Sequence, residues 1–340
     1  YAPKPGVIPL HPLGVGDLLG AVFSTVGRYW KQLYGLTFAL MGAALVAGAV
    51  VVGGALAVVW GTVDEVFRDV DHPEADGDQL LTLISAGVIA ALLLIAIGVY
   101  VMSALTAAHA VTVSHAVTGH PLTLGALWRQ TRPRVASVLG VQLLRALIVC
   151  GLLVVGYGTV IGMIVGTIAS AGESSMTGLT VVAVLAGVLV FLGVAVAGTY
   201  LYVRYALAPS AAALEGTGAG ASMSRSAVLV KGAWWRVLGI TLLIAIIVAI
   251  VDQMVQYAVV FLGIFSAAAA GQDPHIGSMI TVFAMMVVLL VLGSVLTVPF
   301  PYVAATLLYV DRRIRREGFD LTLAASAGLP PHRPPHPPAY

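Results

Sequence analysis

The stretch SMSRSAVLVKGAWWRVLGITLLIAIIVAI, residues 222–250, decides how this chain is built. It begins as a short basic amphipathic segment carrying Arg225 and Lys231, turns at Trp234-Trp235-Arg236, and continues as unbroken hydrocarbon. An earlier stretch has the same plan. Residues 123–130, TLGALWRQ, lead through Arg132-Pro133-Arg134 into VLGVQLLRA at 138–146, which lies against VLGITLLIA at 237–245. A weaker copy opens the chain, with DLLGAVF at 17–23, then Arg28-Tyr29-Trp30-Lys31, then apolar residues from Leu36 onward. The expected unit is an interfacial amphipathic helix followed by a transmembrane hairpin.

Composition agrees with that plan. Only 9% of the 340 residues are charged and 59% are hydrophobic, with a mean hydropathy of +1.00. Soluble domains carry about 25% charged residues, so most helix surface here must face lipid or other helices. Six runs meet the requirement of about twenty apolar residues for a bilayer crossing. They are placed at Leu33–Trp60, Leu80–Val111, Val135–Ala169, Gly178–Leu207, Val237–Phe265 and Met279–Val310. Before the first, Gly14–Gln32 is expected to form a helix in the interface, with Leu18, Leu19, Val22, Phe23 and Val26 at helical spacing.

The basic residues set the expected orientation. Lys4, Arg28 and Lys31 precede span one; Arg129, Arg132, Arg134 and Arg145 enter span three. Arg204, Arg225, Lys231 and Arg236 fall between spans four and five, and Arg312, Arg313, Arg315, Arg316 and Arg333 follow span six. Of the 17 lysines and arginines, Arg68 alone falls on the other side. The positive-inside rule then puts both termini in the cytoplasm of a bacterial plasma membrane. Acids collect opposite, at Asp64, Glu65, Asp69, Asp71, Glu74, Asp76 and Asp78 in the first outer loop, with Glu173 and Asp273 in the others.

The chain divides into a Pro-rich tail at 1–13, a membrane domain at 14–323 and a Pro-rich tail at 324–340. Tyr1-Ala-Pro-Lys-Pro is polar, so no secretory leader is expected there. Three tandem repeats of equal orientation are expected at 14–118, 119–217 and 218–323. Tyr-Val pairs at 100–101, 202–203 and 302–303 recur in each second span. The fold class is therefore an all-α integral membrane protein of six spans in three repeats.

Two segments carry a family resemblance. Asp311-Arg-Arg-Ile-Arg315-Arg-Glu317-Gly318-Phe-Asp320-Leu321, after Pro299-Phe-Pro301-Tyr302, resembles the end of the membrane domain associated with bacterial glycerophosphoryl diester phosphodiesterases. Pro9-Leu-His-Pro12-Leu13-Gly14-Val-Gly16-Asp17 is similar to the opening of stand-alone actinobacterial relatives of that domain. The resemblance spans roughly residues 9–323. It implies the membrane module without the hydrolase, because the barrel that carries that reaction has no counterpart here. The one His-Arg pair, His332-Arg333, lies in the proline tail.

Candidate sites are few. Arg145 lies within an apolar run, where a charge pairs, faces a cavity or snorkels to the headgroups; Gln142 shares roughly its face. Asp252, with Gln253 and with Gln256 one turn on, suggests an outer-interface residue, an interhelical hydrogen bond or a polar cavity opening outward. Arg204, beside Tyr200, Tyr202 and Tyr205, marks an interface. Arg129, Arg132, Arg134, Arg225, Lys231, Arg236, Arg312, Arg313, Arg315 and Arg316 are expected to contact anionic inner-leaflet lipid. Gly158, Gly162 and Gly166 form a ridge for helix packing within the monomer or between copies. Cys150 is expected to be a buried, inert thiol. His109 and His115 point to different helix faces, and the acidic loop 64–78 lacks a calcium-loop pattern.

No cofactor, metal site, catalytic group or nucleic-acid partner is expected. The residues favour a non-enzymatic module engaging anionic lipid, a partner membrane protein or a second copy. The alternative is a transporter or lipid-translocating protein with Arg145 and Asp252–Gln256 along a polar path. A membrane-embedded enzyme is the weakest reading, for want of clustered nucleophile, acid and metal ligands.

Overall fold

The computed structural model describes residue 7 and residues 13–66, 76–119, 122–170, 176–269 and 276–319. Among these, ten helices and no strands are found: α1 (Val15–Arg28), α2 (Trp30–Val66), α3 (Gly77–Thr118), α4 (Leu124–Ser170), α5 (Met176–Arg204), α6 (Ala208–Glu215), α7 (Ala219–Val230), α8 (Trp234–Ala269), α9 (Ile276–Val295) and α10 (Pro299–Glu317). Six helical stretches are long and apolar enough to cross a membrane, at Trp30–Glu65, Gly77–Thr118, Leu124–Thr167, Val181–Glu215, Trp234–Phe265 and Thr281–Glu317. Consecutive spans pack as the hairpins α2–α3, α4–α5 and α8–α9. Both proline-rich tails beyond residues 13 and 319, together with Arg68, Asp69, Asp71, Glu74, Glu173 and Asp273, lie outside the described residues.

Packing is unequal along the helix axes. Large apolar side chains are exposed on α2 from Phe38 to Trp60, on α3 from Leu80 to Met102 and on α4 from Leu143 to Val165. The same holds on α5 from Val181 to Tyr202, on α8 from Leu242 to Phe265 and on α9 from Phe283 to Leu292. The α2, α3, α4, α5 and α8 runs are each roughly 23 residues, about 33 Å at 1.5 Å per residue, close to the ~30 Å of a hydrocarbon core. Burial concentrates beyond one end of this band. There the last part of α3, the first part of α4, and α1, α6, α7 and α10 form the core around Leu13, Leu18, Leu229, Leu307 and Tyr309.

Helix α1 shows why. Leu18, Ala21, Val22, Thr25 and Val26 are buried on one face, which packs against α10. Instead of lying free in an interface over Gly14–Gln32, α1 ends at Arg28 and joins this core. A comparable break separates α7 from α8, where Gly232 takes φ +75°, a conformation that suits glycine.

The second unit departs from the expected plan. No separate lead-in helix precedes span three: α4 runs unbroken for 47 residues through Pro133. Proline removes one backbone hydrogen bond. Yet Leu127, Thr131, Val135, Val138 and Val141 are all buried at helical spacing, so a continuous packed stripe crosses the proline and holds the helix together. The sixth expected span, Met279–Val310, breaks at Leu296–Val298. Pro299 and Pro301 start a new helix there, where proline is tolerated in the first turn. Span four likewise ends at Arg204, and Pro209 opens α6.

Two further expectations are corrected. Among the described residues, a Cβ at Gly158 or Gly162 would meet nothing within 4 Å, so these two positions of the ridge make no close helix contact there. The close approaches are elsewhere, Gly293 against Val255 and Gly263 against Met286. Cys150 is exposed on the apolar band, not buried.

Candidate functional site

Six of the ten basic residues expected at the lipid surface bond to other parts of the chain. Asp311 is fully buried on α10 and accepts a 2.9 Å hydrogen bond from the Leu13 N–H. Arg315, one turn on, donates Nε to the same carboxylate at 2.9 Å and Nη2 to the Leu13 carbonyl at 2.7 Å. Arg236, at the start of α8, lies 3.5 Å from Asp311 and also donates to the Leu13 carbonyl. A single backbone unit is thus held by one carboxylate and two guanidinium groups, and α1, α8 and α10 are tied at that point.

A second network lies beside it. Arg225 of α7 pairs with Glu317 at 2.6 Å and with Glu215 at 3.1 Å. Arg313 reaches Glu317 at 3.0 Å, and Tyr309 donates to Glu215. Burial alone would raise the Glu317 carboxyl, but hydrogen bonds from Arg225 and Arg313 outweigh it and hold it below its ordinary value. Arg312 is buried and donates to the Leu229 carbonyl at 3.0 Å. Arg316 donates to the Val228 carbonyl at 2.6 Å and to that of Lys231. Arg225, Arg236, Arg312, Arg313, Arg315 and Arg316, expected as lipid contacts, thus also cross-link the chain, and Arg315 and Arg316 remain exposed. Burial of the surrounding helix ends forces them to find partners in the chain. Arg129, Arg132 and Lys231 stay exposed, and Arg134 is half-buried.

Arg145 is placed differently. It sits two residues past Leu143, at the margin of the exposed apolar band on α4. Its guanidinium lies 5.3 Å from the centre of the Tyr202 ring. Among the described residues no carboxylate comes within ion-pair distance of it. With Gln142 and Tyr202 it lines two adjoining cavities. One, of about 150 Å³, also meets Thr106, Ser210, Thr241 and Tyr302. The other, of about 310 Å³, extends along Ile148, Val149, Leu152 and Leu201. A cation with an aromatic floor, an amide neighbour and an aliphatic groove can hold an anion attached to an apolar chain.

A cavity of about 520 Å³ lies between α2–α3 and α8–α9, with the start of α10 at one end. Asp252 lines it and accepts from Thr297 Oγ1 at 2.5 Å. Gln253 and Gln256 are exposed and do not line it, so the polar path expected over Asp252–Gln256 reduces to Asp252. Nor do Asp252 and Arg145 share a cavity: Pro301 and Tyr302 line both chambers and stand between them. Tyr302 stacks on His109 at 5.4 Å and donates to the Met102 sulfur at 2.8 Å. His109 is buried against Thr37 and the Leu105 carbonyl, and His115 meets Gln130 at 3.0 Å.

The remaining candidates serve locally. Arg204 lies over Tyr205 at 5.8 Å. In the acidic segment, Asp76 caps α3 by accepting from the Gln79 N–H at 2.8 Å. Thr297 was missed in the sequence, Tyr302 was legible only as part of a repeated Tyr-Val pair, and Tyr202 was read as an interface aromatic rather than as the partner of Arg145.

Six helices long and apolar enough to cross a membrane, with ion pairs joining α6, α7, α8 and α10 at one end and with chambers between hairpins, define a polytopic α-helical membrane protein. The chain belongs to the family described as a domain of unknown function, DUF7847, which matches residues 40–312. No curated protein and no solved structure matches it.

Proposed function

We propose that this protein is a non-enzymatic module of a bacterial cytoplasmic membrane that holds anionic phospholipid at Arg145. The single observation carrying this reading is the position of that guanidinium. It lies at the edge of the apolar band, faces two chambers and has no carboxylate partner among the described residues. A lipid phosphate supplies the missing charge, and the groove along Ile148, Val149 and Leu152 receives an acyl chain. In this reading the tied helix ends and both termini face the cytoplasm, as the one-sided basic residues require. Arg129, Arg132, Arg134 and Lys231 then meet the inner headgroups. The three hairpins support the expectation of three tandem repeats, the second having lost its separate lead-in helix.

Native mass spectrometry of the protein in nanodiscs tests the reading. A stoichiometric anionic phospholipid is expected on the wild type and absent from Arg145→Ala, with Arg145→Lys intermediate. Equal lipid retention by all three overturns it. Lipid translocation is the second reading, favoured by one observation: a single aromatic wall, Tyr302, stands between the Arg145 chamber and the larger one. Lipid flipping in proteoliposomes that rises on Tyr302→Ala would favour that reading.

A further inference from the structure

We propose that the 520 Å³ chamber between α2–α3 and α8–α9 is a separate binding site for an apolar molecule bearing one ammonium-type cation, with Asp252 as its counter-charge. Asp252 lies ten residues beyond Leu242, where the exposed apolar run of α8 begins, so it sits about 15 Å inside the band. An acid at that depth demands a partner. One of its oxygens accepts from Thr297, and the other has no hydrogen-bond partner among the described residues. None of the residues lining the chamber is a lysine, arginine or histidine.

The other polar groups of the wall are already used. Ser294 donates to the Val291 carbonyl, Thr297 to Asp252 and to the Ser294 carbonyl, and Tyr302 to the Met102 sulfur. Everything else is aliphatic or thioether surface. The chamber thus presents one carboxylate oxygen within a hydrocarbon wall, at a volume within the roughly 300–1,000 Å³ typical of small-molecule sites. An anionic amphiphile would be repelled, and an uncharged chain would leave the carboxylate uncompensated. A lipophilic amine or quaternary ammonium satisfies both requirements. This ligand class and this chamber differ from the anionic lipid at Arg145, so the two readings stand or fall separately.

The test is native mass spectrometry of the full chain in nanodiscs of uncharged lipid, titrated with dodecyltrimethylammonium, dodecanol or dodecyl sulfate. The wild type is expected to take one ammonium molecule, in preference to dodecanol and dodecyl sulfate by about tenfold or more, the scale of one lost charged contact. Asp252→Asn keeps the acceptor for Thr297 and should abolish that preference. Gly98 lines the chamber and a Cβ there meets nothing within 4 Å, so Gly98→Leu should weaken binding by filling space in the chamber. Arg145→Ala should leave ammonium binding unchanged. Equal binding of ammonium and dodecanol, an unaltered preference in Asp252→Asn, or no one-to-one binding at all overturns the proposal.

Discussion

Leu13 and Asp311 are 298 positions apart in the chain and joined by a 2.9 Å hydrogen bond, the Leu13 N–H donating to a fully buried carboxylate. Arg236 and Arg315 complete the joint by taking the Leu13 carbonyl. The joint therefore ties the segment before α1 to α10, near the two ends of the described residues.

Asp311→Asn should destabilise the protein by about 2–3 kcal/mol. That is below the 3–5 kcal/mol for breaking a fully buried pair, because the two arginines remain partly solvated. Asparagine still accepts from Leu13 but leaves Arg236 and Arg315 without their counter-charge. Denaturant or thermal unfolding in nanodiscs measures the loss. Asp17→Asn, at the exposed start of α1, is the control with the smaller effect.

Acidification should loosen the second network. The folded Glu317 carboxyl titrates below its ordinary value of 4.5. Its contribution is therefore present above that value and is lost as pH falls through the folded pKa. Thermal midpoints taken between neutral pH and pH ~3.5, spanning the ordinary and lowered carboxylate range, should fall less steeply for Glu317→Gln than for the wild type. Parallel curves would show that the carboxylate contributes nothing.

Gly293→Ala should cost about 1–3 kcal/mol, as overpacking does, while Gly263→Ala should cost less than about 1 kcal/mol. The added methyl would lie 2.2 Å from Val255 Cγ1 in the first case and 2.8 Å from Met286 Sδ in the second. Valine is stiff about χ1, whereas methionine has rotamers to give. Unfolding of the two variants side by side checks the order.

Cys150 reports on the bilayer. It lies within the exposed apolar band, seven residues beyond Leu143. In a bilayer that face meets lipid, out of reach of a water-soluble reagent. A charged maleimide should leave it unmodified in intact membranes and modify it after denaturation in dodecyl sulfate. Rapid labelling in membranes would show that this face of α4 meets water.

The six spans were legible because each is an apolar run whose length the bilayer dictates. The lead-in helices at Val15–Arg28 and Ala219–Val230 were legible from amphipathic spacing. The destination of the arginines was not. A guanidinium reads the same in sequence whether it meets a phosphate or the Leu229 carbonyl, and its partner here lies tens to hundreds of residues away. The exception is local: Asp311 with Arg315 and Arg313 with Glu317 stand at i,i+4. Proline misled in both directions. Pro299 broke an expected span, while Pro133 failed to end a helix that a buried stripe carries through it. At the chambers, Arg145 and Asp252 stood out as charges in hydrocarbon. Thr297 and Tyr302 acquire meaning only from the helices packed around them.

The joint at Leu13 also fixes an order of assembly. During synthesis Leu13 emerges 298 residues ahead of Asp311, so its N–H waits for its partner until the last described helix is made. Arg236 of α8 can take the Leu13 carbonyl earlier, and Asp311 and Arg315 arrive together on α10. The carboxylate half of the joint is therefore made last, and a nascent chain stalled before residue 311 lacks it.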